Sequence, residues 1–85
     1  MADVVIYTKS YCPYSKDCKE FLNSKGVDFS EKLIDDDPTL FVEMENKAAG
    51  RSDTPQVFVN GQHIGSGDDL KALESTGKLD DLLNI

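Results

Sequence analysis

Cys12 stands between an apolar run, Val4-Val5-Ile6-Tyr7, and a stretch of helical spacing that begins at Pro13. A thiol at the first turn of a helix meets the positive end of the helix dipole and the unpaired N–H groups of that turn. Both favour the thiolate, the form of cysteine that acts as a nucleophile. Lys9, shortly before it, adds a cation nearby. A buried structural thiol is the usual state of a free cysteine, but a strand end, a proline and a helix start meeting at Cys12 favour the reactive reading. A redox pair would place its second thiol one helical turn on, and that residue is Ser15. Ser15 shares a helix face with Cys12. Its hydroxyl can hydrogen-bond a thiolate but cannot form a disulfide; its plainer role is to satisfy first-turn backbone groups.

The other polar and sulfur-bearing positions are weaker signals. Cys18 lies on a helical stripe with Phe21 and Leu22 and reads as a small core residue. A Cys12–Cys18 disulfide is disfavoured, because six helical residues turn through about 600° and leave the side chains on different faces. Two cysteines and the single His63 do not make a four-ligand zinc site, so no metal is expected. Thr54-Pro55 opens an apolar strand, an ordinary place for a proline, and most X-Pro bonds are trans. Ser66-Gly67-Asp68-Asp69 offers free N–H groups that can hold a carboxylate, although by itself it reads only as a helix cap. His63 has no evident catalytic partner and reads as structural or surface.

These residues need a scaffold, and the order of elements supplies one. Val4 to Tyr7 is β-branched and aromatic, a buried strand. Pro13 to Lys25 follows as a helix, with Pro13 at its first position and Gly26 as its stop. Asp28 to Ile34 alternates imperfectly as a second strand, making a βαβ unit with parallel strands and a right-handed crossover. Asp37-Pro38 caps a second helix whose inner face carries Leu40, Phe41, Met44 and Ala48, ending near Gly50. Gln56 to Asn60 is a third strand, with Val57 and Val59 on one side and Phe58 on the other. Asn60-Gly61 predicts a type I′ hairpin to an antiparallel strand over Gln62 to Gly65. A third helix starts at Ser66-Gly67-Asp68-Asp69, with Leu70 and Leu73 inward and Gly77 at its end. Leu79, Leu82, Leu83 and Ile85 form a final helical turn. The order βαβαββα predicts an α/β fold, a four-stranded mixed sheet covered by helices on both faces. Ligands in such sheets favour the carboxyl ends of the parallel strands, which is where Cys12 falls.

Length and charge narrow the functional classes. The chain has 85 residues, the size of one small domain over residues 1–85. No apolar run approaches the roughly 20 residues of a membrane span, and Met1-Ala2-Asp3 lacks the basic flank of a secretory signal. A net charge of −7 repels nucleic-acid phosphates and suits a soluble surface, with room for basic protein partners. Few cysteines and a reactive thiol fit a reducing, cytoplasmic compartment.

Taken together, Tyr7-Thr8-Lys9, Cys12-Pro13-Tyr14, Thr54-Pro55-Gln56-Val57-Phe58-Val59, His63-Ile64-Gly65 and Gly67-Asp68-Asp69-Leu70 resemble the glutaredoxins over nearly the whole chain. The resemblance implies a thioredoxin-like fold and a groove for glutathione as cosubstrate. Cys12 matches the family's nucleophile and Lys9 the lysine near the glycine carboxylate of glutathione. Tyr14 matches the aromatic wall. Thr54 precedes the position of the family's cis-proline, here Pro55, with its backbone beside the cysteinyl part of the ligand. Gly67 and Asp68 match the helix start that holds the γ-glutamyl carboxylate, with Asp68 or Asp69 near its amine. Arg51 is placed at the glycine end. The departures are specific. Ser15 stands where dithiol members carry cysteine, and Thr54 where valine is common. Asp53 replaces a frequent threonine and sets a negative charge beside a groove for an anion, an expected loss of affinity. Gly67 replaces a frequent cysteine. The insertion of the Cys-Gly-Phe-Ser subclass is absent, as are thioredoxin's tryptophan motif and extra N-terminal elements.

The resemblance implies a glutathione-dependent thiol–disulfide oxidoreductase that works by a single thiol on glutathionylated proteins or small disulfides, as a monomer. From a different class, the alternative is an iron–sulfur carrier in which two chains bridge a [2Fe–2S] cluster through Cys12 and glutathione. A third reading is a restrained glutathione-binding form, since Cys-to-Ser is the one-atom change, natural or introduced, that traps a mixed disulfide.

Overall fold

The computed structural model describes residues 2–85. Four strands, β1 (Val4–Thr8), β2 (Ser30–Leu33), β3 (Gln56–Val59) and β4 (Gln62–Gly65), form one sheet in the order β2-β1-β3-β4. β1 and β2 are parallel, while β1–β3 and β3–β4 are antiparallel. The helices are α1 (Pro13–Ser24), α2 (Pro38–Lys47), α3 (Gly67–Ser75) and α4 (Lys78–Leu83).

Strand alternation sorts the core into two layers. Val4 and Ile6 of β1 and Val57 and Val59 of β3 face Cys18 and Leu22 of α1, Leu70 of α3, and Leu79 and Leu83 of α4. On the other side Tyr7 and Phe58 pack with Ile34, with Met44 of α2 and with Ala48, which caps that helix. Each fully buried aliphatic side chain contributes roughly 1.5–3 kcal/mol, so this division fixes which strand face meets which helix. Among the described residues, no helix is long and apolar enough to cross a membrane.

The local signals operate as their chemistry predicts. Asp37 caps α2 by accepting the Leu40 N–H at 3.1 Å, with Pro38 next in the chain. Asn60 and Gly61 take φ of 52° and 81°, the left-handed pair that a type I′ turn requires. Several boundaries fall one residue from the sequence-based expectation, and the larger differences lie at β2, α2 and the last helix. β2 begins at Ser30 rather than Asp28, because its partners on β1 run only from Val5 to Thr8. α2 ends at Lys47, and the left-handed residues Ala49 and Gly50 then carry the chain away. The expected last turn is a full helix, α4, whose buried Leu79 and Leu83 lie one turn apart on the core side.

Candidate active site

Cys12 is the N-cap of α1, in extended backbone, with Pro13 at the first helical position. β1 ends at Thr8, and the Cys12 N–H donates back to the Lys9 carbonyl at 3.2 Å. The thiol therefore sits half-buried where the first strand hands over to the helix. No acidic side chain occupies the first turn of α1, so nothing there offsets the positive end of the dipole.

Ser15 is completely buried. Its Oγ accepts the Lys9 N–H at 3.5 Å, which ties the loop to the helix. The Cys12 Sγ lies 3.7 Å from the Thr54 carbonyl oxygen. Burial pushes the Cys12 thiol up. Hydrogen bonds from the Thr54 and Ser15 side chains and from the backbone N–H groups of Ser15 and Tyr14 outweigh it, so the thiol is held below its ordinary value. Cys18 is the opposite case: burial pushes its thiol up to about 11. Both cysteines are free.

This difference is measurable. A thiol that is a stronger acid in the folded chain gives up its proton at a lower pH. The iodoacetamide alkylation rate of Cys12 is expected to rise at lower pH in the native chain than in the urea-unfolded chain. Ser15→Ala removes one of the donors, so its midpoint should move up towards the ordinary thiol value. An unmoved midpoint would remove Ser15 from the thiolate's support. The unfolded chain keeps the proton to higher pH, so stability rises as pH climbs from the depressed folded value to the ordinary one.

A groove of about 310 Å³ opens at Thr54, the residue whose carbonyl the thiol approaches, although Cys12 itself is not in its lining. Tyr14, Asp17, Cys18 and Phe21 of α1 form one side, and the loop from Arg51 through Asp53, Thr54 and Pro55 forms another. Ser66, Gly67, Asp68 and Lys71 close it at the start of α3. Tyr14 is 69% exposed, an open aromatic wall next to Cys12. Thr54-Pro55 is cis, as the family resemblance implies and against the trans expectation for a strand-opening proline. A Cβ at Gly67 would meet Cys18 and Pro55 only at 3.6 and 3.9 Å, an ordinary contact, so its bare backbone leaves the helix start open without being forced by packing.

Tyr14, Thr54, Pro55, Gly67 and Asp68 are thus brought together with Arg51. Lys9 is tied by its backbone to Cys12 and Ser15, but it is not part of the groove lining. Asp69 is likewise not in the lining: its carboxylate accepts the Ser66 N–H at 2.8 Å and the Ser66 hydroxyl at 3.1 Å, the reach-back half of a capping box. Of the two candidate acids, Asp68 is the one that faces the groove. Phe21, expected in the core stripe, is only half-buried and belongs to the wall, and Cys18 is both core and groove floor.

The negative charge expected of Asp53 is accompanied by a partner. Arg51 donates to Asp53 from Nε and Nη2 at 3.2 and 2.9 Å, and from Nη1 to Asp69 at 3.2 Å. The Arg51 side chain holds the Asp53 carboxyl below its usual range. Sequence reasoning passed over Gln56. It is fully buried, its Nε2 donates to the Asp53 carbonyl at 2.9 Å, and its Oε1 meets His63 Nε2 at 2.7 Å. A polar residue opening an otherwise apolar strand was the available signal. It pins the loop that carries Thr54 and gives His63 its structural role.

Comparison with known proteins agrees with this geometry. The glutaredoxin family model matches residues 4–64. The chain is 51% identical to glutaredoxin 3 of Escherichia coli over 83 residues, 98% of this chain and 99% of that protein. It is 48% identical to a Pseudomonas aeruginosa glutaredoxin over 84 residues, 99% of each. The solution structure of Brucella melitensis glutaredoxin superposes with a TM-score of 0.85 at 46% identity, covering 98% of this chain and 89% of that one. With a free, half-buried thiol past the carboxyl end of the central strand β1 and this likeness over almost its full length, the chain belongs to the glutaredoxin family of thiol–disulfide oxidoreductases, with the thioredoxin-like fold.

Proposed function

We propose that the chain reduces glutathione mixed disulfides through Cys12 alone. The observation that carries this reading is the arrangement of its thiols. Cys12 is half-buried at a helix start, the residue one turn on is Ser15, and Cys18 is only 2% exposed beneath the groove. In the first step the Cys12 thiolate attacks the glutathionyl sulfur. The substrate leaves as a thiolate and takes a proton, and Cys12 carries glutathione. A second glutathione thiolate then attacks the glutathionyl sulfur, releasing oxidised glutathione and restoring the Cys12 thiolate. The raised acidity of the thiol serves both halves, since it supplies more attacking thiolate and a better leaving group.

The groove residues have assignable parts in this reading. The Thr54-Pro55 backbone pairs with the cysteinyl residue of glutathione, and Tyr14 covers it. The free N–H groups at Gly67 and Asp68 hold the γ-glutamyl carboxylate at the start of α3, and the Asp68 side chain faces its amine. Lys9 and Arg51 serve the glycine carboxylate. No resident metal enters the cycle, and the chain acts as a monomer.

The test is a glutathione-coupled turnover assay on a glutathionylated peptide, comparing the chain with Ser15→Cys. Both should turn over. Only Ser15→Cys should lose two hydrogens on mild oxidation, read by mass spectrometry. The same loss in the unsubstituted chain would mean that Cys18 resolves Cys12 and would end the single-thiol reading. A visible-range absorption band in protein purified without oxygen, with turnover absent, would instead favour cluster carriage by a pair of chains.

A further inference from the structure

We propose that Asp53 is a specificity-determining residue: it occupies the face of Arg51 that a ligand carboxylate would take, and so lowers the groove's affinity for small anionic thiols. The inference rests on the glutathione reading above. Arg51 and Asp53 both line the groove. Nε and Nη2 are the paired donors with which a guanidinium grips a carboxylate in fork geometry, and both are engaged by Asp53. The remaining contact, Nη1 to Asp69, fixes the orientation of the fork. Asp69 is itself anchored by Ser66, so it does not depend on Arg51 for its place.

The pair is poised to exchange. Its side chains are 39% and 56% exposed, and an exposed ion pair is weak. An incoming carboxylate can therefore displace Asp53 from the fork. It does so at a double cost, because the displaced carboxylate cannot leave the neighbourhood. The Asp53 carbonyl is held by Gln56 at 2.9 Å, so only the side chain swings, and its charge stays beside the ligand's. The tethered carboxylate acts as a competitor whose effective concentration never falls.

The test is steady-state turnover with the glutathionylated peptide as the varied substrate at fixed glutathione, for the chain itself, Asp53→Asn, Arg51→Gln and the double variant. Asp53→Asn should lower the KM for the glutathionylated peptide roughly two- to fivefold, the range that an exposed ion pair contributes, with the change in KM rather than kcat. In the Arg51→Gln background the same substitution should leave KM nearly unchanged. An equal drop in both backgrounds would mean simple repulsion and would overturn the occupancy of Arg51. No drop in either background would overturn the role of Asp53 altogether. Absence of glutathione-dependent turnover in the unsubstituted chain would overturn the glutathione reading, and this inference with it. Urea midpoints of all four proteins identify any variant whose KM reflects unfolding.

Discussion

Replacing Cys12 with serine is expected to abolish turnover of glutathione mixed disulfides, by roughly three orders of magnitude or more. A serine hydroxyl is far too weak an acid to ionise under the conditions in which the Cys12 thiol does. It also cannot form the mixed disulfide on which the cycle depends. The donors that strengthen the thiol as an acid, from Thr54, Ser15 and the backbone of Tyr14, remain in place but have no anion to stabilise. Cys18 cannot substitute. It is 2% exposed, and burial pushes its thiol up to about 11, so its thiolate is scarce and shielded near neutral pH. The variant should stay folded, because Cys12 is only half-buried and its backbone bonds to Lys9 and Lys16 do not involve the sulfur. The checks are the coupled turnover assay and a urea midpoint close to that of the unsubstituted chain. Turnover within tenfold of the original would place the nucleophile elsewhere.

Much of the scaffold was legible because its determinants are local. Asn60-Gly61 needs no distant partner to make a type I′ turn, and Asp37-Pro38 caps a helix through a bond to Leu40, three residues on. Val57 and Val59 against Phe58 assign two sheet faces by alternation alone, and both faces are occupied as that pattern requires. β2 was read too long because the residues opposite it on β1, not its own composition, determine where pairing begins. The thiol's position was legible from the same local cues: a strand end, a proline and a helix start. What escaped was the polar wiring that spans elements. Arg51 meets Asp69 across 18 positions, and Gln56 joins Asp53 to His63 through opposite ends of one amide. Exposed charges carry no periodicity, so nothing in the sequence pairs Arg51 with one acid over another. The assignment of Asp68 to the groove and Asp69 to the helix cap likewise turns on which carboxylate Ser66 captures, which requires the turn at Gly65 to be known.

That turn carries the second large effect. Gly65→Ala is expected to destabilise the chain by about 2–4 kcal/mol, combining the strain of a disallowed backbone with loss of a helix cap. Gly65 adopts φ of 130°, which side chains rarely tolerate, and a Cβ there would fall 2.2 Å from Asp69 Oδ2 and 2.9 Å from Asp69 Cβ. The second distance matters more, since a carboxylate tip can rotate away whereas Asp69 Cβ moves only with its helix. Relief therefore requires α3 to shift or Asp69 to abandon Ser66. Either route disturbs the helix start that carries Gly67 and Asp68 into the groove, so the KM for a glutathionylated peptide should rise as well. Against a total stability of roughly 5–15 kcal/mol the loss is large, and it should appear as a lower urea midpoint with an unchanged slope. Gly61→Ala is the matched comparison. Its φ of 81° is also left-handed, but nothing lies within 4 Å of the added Cβ, so it bears the backbone cost alone, about 1 kcal/mol. The excess loss at Gly65 over Gly61 combines the clash with Asp69 and the more extreme φ at Gly65. Equal losses at Gly65 and Gly61 would mean that Asp69 moves aside freely and that its bond to Ser66 does not hold the start of α3.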